Sequence, residues 1–214
     1  MIFNSRWALG LAVIGASCLI PTATRAALVI NGDFELPNIS GNFTTYNTGA
    51  NIGGWVVTSG SVDLINNYWQ PASGGQSLDT AGNINGTIQQ TVATTAGQLY
   101  RLTFDMSGNP DGAPTIKSLL VTFGSASQTF LFNTAGITKS NMKWTLMTWD
   151  VVATGASTLL SFASADSPTT AYGAALDNVV LVPVPEPATV IAGALLLLPF
   201  GASAFRIMRK GKQA

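Results

Sequence analysis

Residues 98–106 read "QLYRLTFDM", and from Tyr100 onward apolar and polar side chains alternate strictly. Tyr100, Leu102, Phe104 and Met106 point one way, and Arg101, Thr103 and Asp105 point the other. A period of two belongs to a strand with one face in a core and the other in solvent. Leu119, Val121 and Phe123 repeat the period, as do Ile88, Gln90 and Val92. "WTLMTWDVV", "STLLSFAS" and "AALDNVVLV" are further β-rich runs. Turn-forming groups interrupt them at Gly53-Gly54, Gly74-Gly75, Asn85-Gly86, Gly108-Asn109-Pro110 and Thr154-Gly155. Strands so punctuated are short and return on themselves. No long helical period occurs between Ala27 and Pro183. The pattern predicts about ten or eleven strands in an all-β, antiparallel jelly-roll sandwich.

The two ends obey different rules. Arg6 is followed by an apolar stretch from Trp7 to Ile20 and by small residues around Ala23 to Ala27. This order predicts a secretory signal peptide over 1–26, cleaved after Ala26. The only cysteine, Cys18, falls inside it. The mature chain is then expected to hold no disulfide and no thiolate site. At the other end, Ala188 to Phe205 is almost wholly apolar. As a helix it would reach about 27 Å at ~1.5 Å per residue, close to a ~30 Å hydrocarbon core. Arg206, Arg209, Lys210 and Lys212 follow, which predicts a transmembrane helix over 188–205 with a basic cytoplasmic tail over 206–214. Residues 183–187 form a stiff linker ending in Pro185-Glu186-Pro187.

Val-Pro-Glu-Pro, a short span and an Arg/Lys tail, in that order, resemble the PEP-CTERM protein-sorting signal of Gram-negative bacteria that make extracellular polysaccharide. The resemblance implies processing by an exosortase, a membrane cysteine protease acting near Pro185, Glu186 and Pro187. The helix would then hold the protein in the inner membrane only until it is sorted to the envelope, outer surface or extracellular matrix.

The formal net charge of the chain is zero, but the ends distort it. Residues 27–187 keep Arg101, Lys117, Lys139 and Lys143 against all ten acids, a net charge of −6. An acidic body is a poor partner for phosphates, so nucleic acid is excluded as a partner. The chain has no histidine. That removes a Ser-His-Asp triad and a His-ligated metal. A glycoside hydrolase needs two acids facing one cleft, and the spacing of Asp63, Asp79, Asp105, Asp111 and Asp150 selects no pair. No enzyme is expected, with hydrolysis a distant alternative.

"LVINGDFELP" (residues 28–37), "GGW" (53–55) and "LDNVVL" (176–181) resemble secreted galactose-binding-like jelly-roll domains, among them many carbohydrate-binding modules. "GGQSLDTAGNINGTIQQTV", "AGQLYRLTFDMSGNPDGAP" and "IKSLLVTF" resemble the choice-of-anchor C family, over residues 27–182. In modules of this type an opening Glu and an Asp of the final strand often meet at a structural calcium ion. The resemblance implies that role for Glu35 and Asp177, and carboxylates suit a hard cation. Exposed or hydrogen-bonded acids are the alternative. Phe34, beside them, is a natural core plug after a turn at Asn31-Gly32 that follows an opening strand.

"LINNYWQPASGG" (residues 64–75) places Tyr68 and Trp69 among Asn66, Asn67 and Gln70 in a loop. Flat aromatic faces stack on sugar rings and amides bind sugar hydroxyls, so these five residues are the candidate carbohydrate site. Trp69 serves equally well as a cap on the core, since Trp is mostly buried. Trp55, Trp144 and Trp149 sit in strand-like runs and are expected in the core. The sequence thus predicts an exported, non-catalytic protein that binds exopolysaccharide, with a matrix scaffold that binds other proteins as the alternative.

Overall fold

The computed structural model describes residues 28–185. The expected signal peptide and membrane helix lie outside these residues. Twelve strands form two antiparallel sheets. In chain order they are β1 (Phe43–Asn47), β2 (Asn51–Ile52), β3 (Trp55–Ser59), β4 (Ser61–Ile65), β5 (Ser77–Asp79) and β6 (Thr87–Ala93). Then come β7 (Leu99–Gly108), β8 (Ile116–Phe123), β9 (Ala126–Asn133), β10 (Thr145–Val152), β11 (Ser157–Ser164) and β12 (Ala174–Pro183). One sheet runs β1-β4-β5-β12-β7-β10 and the other β2-β3-β6-β11-β8-β9. We refer to them as the first and second sheet.

The period of two decides which side chains meet between the sheets. Tyr100, Leu102, Phe104 and Met106 of β7 are all buried. Phe104 packs edge-on against Phe130 and Phe162 of the second sheet, with centroids 5.0 and 5.3 Å away. Such edge-to-face pairs add to simple burial because the ring edges are positive and the faces negative. The register carries the inward parity across the first sheet, from Met106 to Leu176, Leu78 and Leu64. Phe34 is fully buried and stacks on Trp55, 5.9 Å between centroids.

The structure differs from the expected pattern at the start of the domain. No strand forms before Phe43 among the described residues; residues 28–33 are turns and bends. The Gln90 side chain replaces the missing ladder. Its Oε1 accepts from Ile30 N at 2.9 Å and its Nε2 donates to Ile30 O at 3.0 Å, which satisfies both backbone groups without a neighbouring strand. Trp149 is half-buried rather than interior, because β10 is an edge strand, and Trp144, just before β10, is half-buried as well.

Candidate functional site

Strand β4 shows why a site lies on the first sheet. Val62 and Leu64 face the core, so Ser61, Asp63 and Ile65 face outward, yet every residue of β4 is buried. Two segments cover it: residues 66–76 between β4 and β5, with Trp69 over Ser77, and residues 81–85 after β5, where Asn83 N donates to Ser61 Oγ and Gly82 lies against Asp63. Trp69 is 4% exposed, and its indole N–H donates to Ser77 Oγ at 2.9 Å. Gln70 N donates to Lys139 O at 2.8 Å, and Trp144 Nε1 donates to Gln70 O at 2.9 Å.

Two carboxylates clasp the rest of residues 66–76. Asp177 Oδ2 accepts from Ala72 N and Ser73 N at 3.0 and 3.2 Å, and its Oδ1 from Asn178 N at 2.7 Å. Glu35 Oε1 accepts from Gly75 N and Gln76 N at 2.8 and 3.0 Å. Gly74 fits here because it has positive φ, and because a Cβ would stand 2.1 Å from Glu35 Oε1. These are the two residues expected to share calcium. A calcium ion wants six to eight oxygens, whereas this arrangement aims amide protons at both carboxylates. The donor set does not fit a shared ion. Among the described residues no group of three or more Asp, Glu, His or Cys side chains is placed to hold a metal. Burial pushes Asp177 up to about 7, against the pull of the Ser73, Asn178 and Ala72 N–H groups, and Asp105 adds a smaller upward push.

Beside residues 66–76 a cleft of about 170 Å³ opens onto the outward face of β1 and β4. Phe43, Tyr68 and Tyr172 form its aromatic walls, with Asn83, Asn109 and Asp63 among them. Phe43 and Tyr172 are 45% and 40% exposed, so part of each ring is open to solvent. Phe43 meets Tyr68 edge-on at 5.4 Å. Asp63 is 9% exposed, and its Oδ1 accepts from Thr45 Oγ1 at 2.6 Å. Burial raises its carboxyl above the usual range, and the Thr45 hydroxyl offsets only part of that. Asp79 is its cross-strand partner on β5. Asp79 is buried, with Oδ1 accepting from Ala81 N and Gly173 N and Oδ2 from Asn109 Nδ2. Burial pushes it up to about 7; Asn109 and the Ala81 N–H pull it down, and the charge of Asp63 raises it again.

A second, shallower depression of about 530 Å³ adjoins the cleft and holds all five residues expected to bind sugar. Tyr68 lines both. Its hydroxyl donates to Asp111 Oδ2 at 2.5 Å, and Lys139 Nζ lies 3.7 Å from its ring centroid and 2.9 Å from Asp111 Oδ2. A lysine therefore already occupies one Tyr68 face. Asn66 is committed to the chain, donating from Nδ2 to Ile39 O and Gly41 O. Asn67 and Gln70 are exposed. Of the two roles the sequence left open for Trp69, its burial matches the core cap: the ring lies against the sheet and only 4% of the residue reaches the depression.

The sequence reasoning did not single out Phe43, Asp63, Asn83, Asn109 and Tyr172 as sugar contacts; they come from five separate stretches of chain. It also missed Lys117, although its position carried a signal. Lys117 continues the inward parity of Leu119, Val121 and Phe123, and it is fully buried. Its ammonium donates to Gly112 O and Tyr172 O at 2.8 and 2.5 Å. It thereby ties together the two turns that carry one wall of the cleft. Burial lowers its pKa, and the charges of Asp166 and Asp79 oppose that. Gly112 lies under the Tyr172 ring, where a Cβ would stand 2.1 Å from Cδ2.

Residues 27–182 match the family described as "Protein of unknown function (DUF642)". Halomucin of Haloquadratum walsbyi is 32% identical over 188 residues, which are 83% of this chain and 2% of that protein. The chain thus spans a small fraction of the curated relative it matches. Solved structures similar to this chain include TmCBM61 in complex with beta-1,4-galactotriose (TM-score 0.47, 16% identity, 75% of this chain and 100% of that one). They also include a family 35 carbohydrate-binding module from an environmental isolate (TM-score 0.43, 14% identity, 71% and 98%). A third is the CBM22-1 xylan-binding domain of Paenibacillus barcinonensis Xyn10C (TM-score 0.42, 17% identity, 69% and 97%).

Proposed function

The chain belongs to the DUF642 family, and from that premise we propose that it is a carbohydrate-binding protein whose ligand seats in the cleft beside residues 66–76. One observation carries this reading: the part-exposed aromatic rings of Phe43 and Tyr172 flank the Asp63 carboxylate and the exposed Asn83 amide within one cleft. Aromatic faces meet the apolar C–H faces of a sugar ring, while carboxylate and amide groups bond its hydroxyls. A binding role suits the cleft better than hydrolysis. Asp63 is the one carboxylate among the described residues that lines it, and glycoside hydrolysis takes two facing carboxylates.

The exit of the chain supports presentation of this cleft away from an anchor. Strand β12 begins two residues after Tyr172, beside Gly108, and ends beside Tyr100. Its ten residues cover roughly 33 Å at ~3.3 Å each. Val184 N donates to Leu99 O, and Gln98 Nε2 donates to Val184 O, which pins the exit at that far end. We extend the proposal to sorting: a PEP-CTERM tail read by an exosortase would hold the domain by the end opposite the cleft, with the cleft toward the matrix.

A glycan array with the full chain tests the binding role. Specific, saturable retention is expected, lost in Tyr172→Ala and in Phe43→Ala at unchanged melting temperature. Retention by no glycan would leave the protein–protein scaffold as the better account. For sorting, replacing Pro185-Glu186-Pro187 by alanines should leave export intact and trap unprocessed protein in the inner membrane. Normal release of that variant would remove the exosortase.

A further inference from the structure

Resting on the carbohydrate reading above, we propose that the cleft selects a sugar carrying a protonated amine, as in a de-N-acetylated amino-sugar polymer. Asp63 carries the inference. It is nine-tenths buried and lines an aromatic cleft, and among the described residues no cation pairs with it. Thr45 Oγ1 occupies its Oδ1, and its Oδ2 accepts no hydrogen bond from the described residues. A second acid, Asp79, lies directly across the ladder, and its side chain is taken up by Ala81 N, Gly173 N and Asn109 Nδ2, so it offers Asp63 no cation.

A carboxylate held among aromatic faces is what a desolvated ammonium prefers, because the ring quadrupoles and the charge act together. The molecule already shows this arrangement once. Lys139 Nζ sits over the Tyr68 ring and pairs with Asp111. The cleft repeats the arrangement with Phe43, Tyr172 and Asp63, and there the ammonium is left for a ligand to supply. A neutral sugar can bond Asp63 through hydroxyls, but only a cation also offsets the buried charge.

The experiment compares glucosamine oligomers, N-acetylglucosamine oligomers of the same length and glucose oligomers by calorimetric titration into the full chain. The amine form is expected to bind at least tenfold tighter than either other form. Asp63→Asn should abolish that preference at unchanged fold, whereas Asp33→Asn, an exposed acid outside the cleft, should preserve it. Equal binding of all three oligomers, lost in Tyr172→Ala, would overturn the amine selectivity and leave the sugar site standing. A preference that survives Asp63→Asn would also overturn it, by assigning the effect to the acidic body at large. Binding of none of the three would overturn both readings.

Discussion

The two sheets share one core but differ on their outer faces. In the second sheet, β6 buries Ile88, Gln90 and Val92 and leaves Thr87, Gln89 and Thr91 more open, as a half-buried strand should. In the first sheet, β4 and β5 are buried on both faces, and β12 is buried from Ala174 to Asp177. The difference lies in what folds over the first sheet: residues 66–76 over Ser77 and Asp177, and the stretches at 81–85, Asn109 and Gly173 over Ser61, Asp63 and Asp79. Covering an outer face removes water from polar groups placed there for solvent. Asp63, Asp79 and Asp177 are then left with raised pKa values and a web of N–H and O–H donors. The candidate site arises at the edge of the cover, where burial stops halfway and leaves Asp63 facing a cleft.

The sharpest way to break this comparison is to remove the cover. Trp69→Ala is expected to cost about 3–5 kcal/mol in urea unfolding, as for a core Trp. Leu159→Ala, on the outer face of the second sheet and 40% exposed, should stay within about 0.5 kcal/mol. Equal costs would mean that residues 66–76 are a surface loop like any other. A smaller effect is expected at Lys117→Met, which keeps the apolar stem and removes the ammonium. Leaving the Gly112 and Tyr172 carbonyls without their donor should cost about 1–3 kcal/mol. It should also weaken glycan retention by loosening the Tyr172 wall. Retention equal to wild type would show that the wall stands without Lys117.

The mildest effect expected is in pH. Asp79 and Asp177 are each pushed up to about 7 in the folded protein, against 3.8 as the ordinary value. Between those values the folded state binds more protons than the unfolded chain, so unfolding free energy falls as pH rises. The melting temperature should therefore drop by a few degrees from pH 5 to pH 8, with Asp79→Asn flattening the slope. A melting temperature that rises over this range would show that the N–H donors to these carboxylates outweigh their burial.

Much of the fold was legible in local pattern. Alternation in residues 100–106 and 117–123 placed β7 and β8 with the correct inward faces. Lys117 sat in that same pattern, and only its charge hid it. That the described residues before Phe43 form no opening strand was not legible, because Gln90, some sixty residues away, supplies the bonds that a strand would have made to Ile30. The candidate site was legible only in part. Tyr68 does line the cleft, but "NNYWQ" gives no sign of which aromatic turns inward. That depends on Ser77 and on the carbonyl of Lys139, which meet the segment only after folding.

By itself the sequence determined the all-β class, the antiparallel return of short strands and the acidity of the body, since these follow from side-chain period, turn residues and charge count. It also ruled out histidine chemistry by composition. The tertiary structure decided which outward-facing acids would be buried and which aromatic residues would stay open. It brought Phe43, Asp63, Asn109 and Tyr172 to one cleft from four stretches of chain. Period and composition act over a few residues, whereas burial depends on what folds across a face, and a segment's path across a sheet is set by partners distant in sequence.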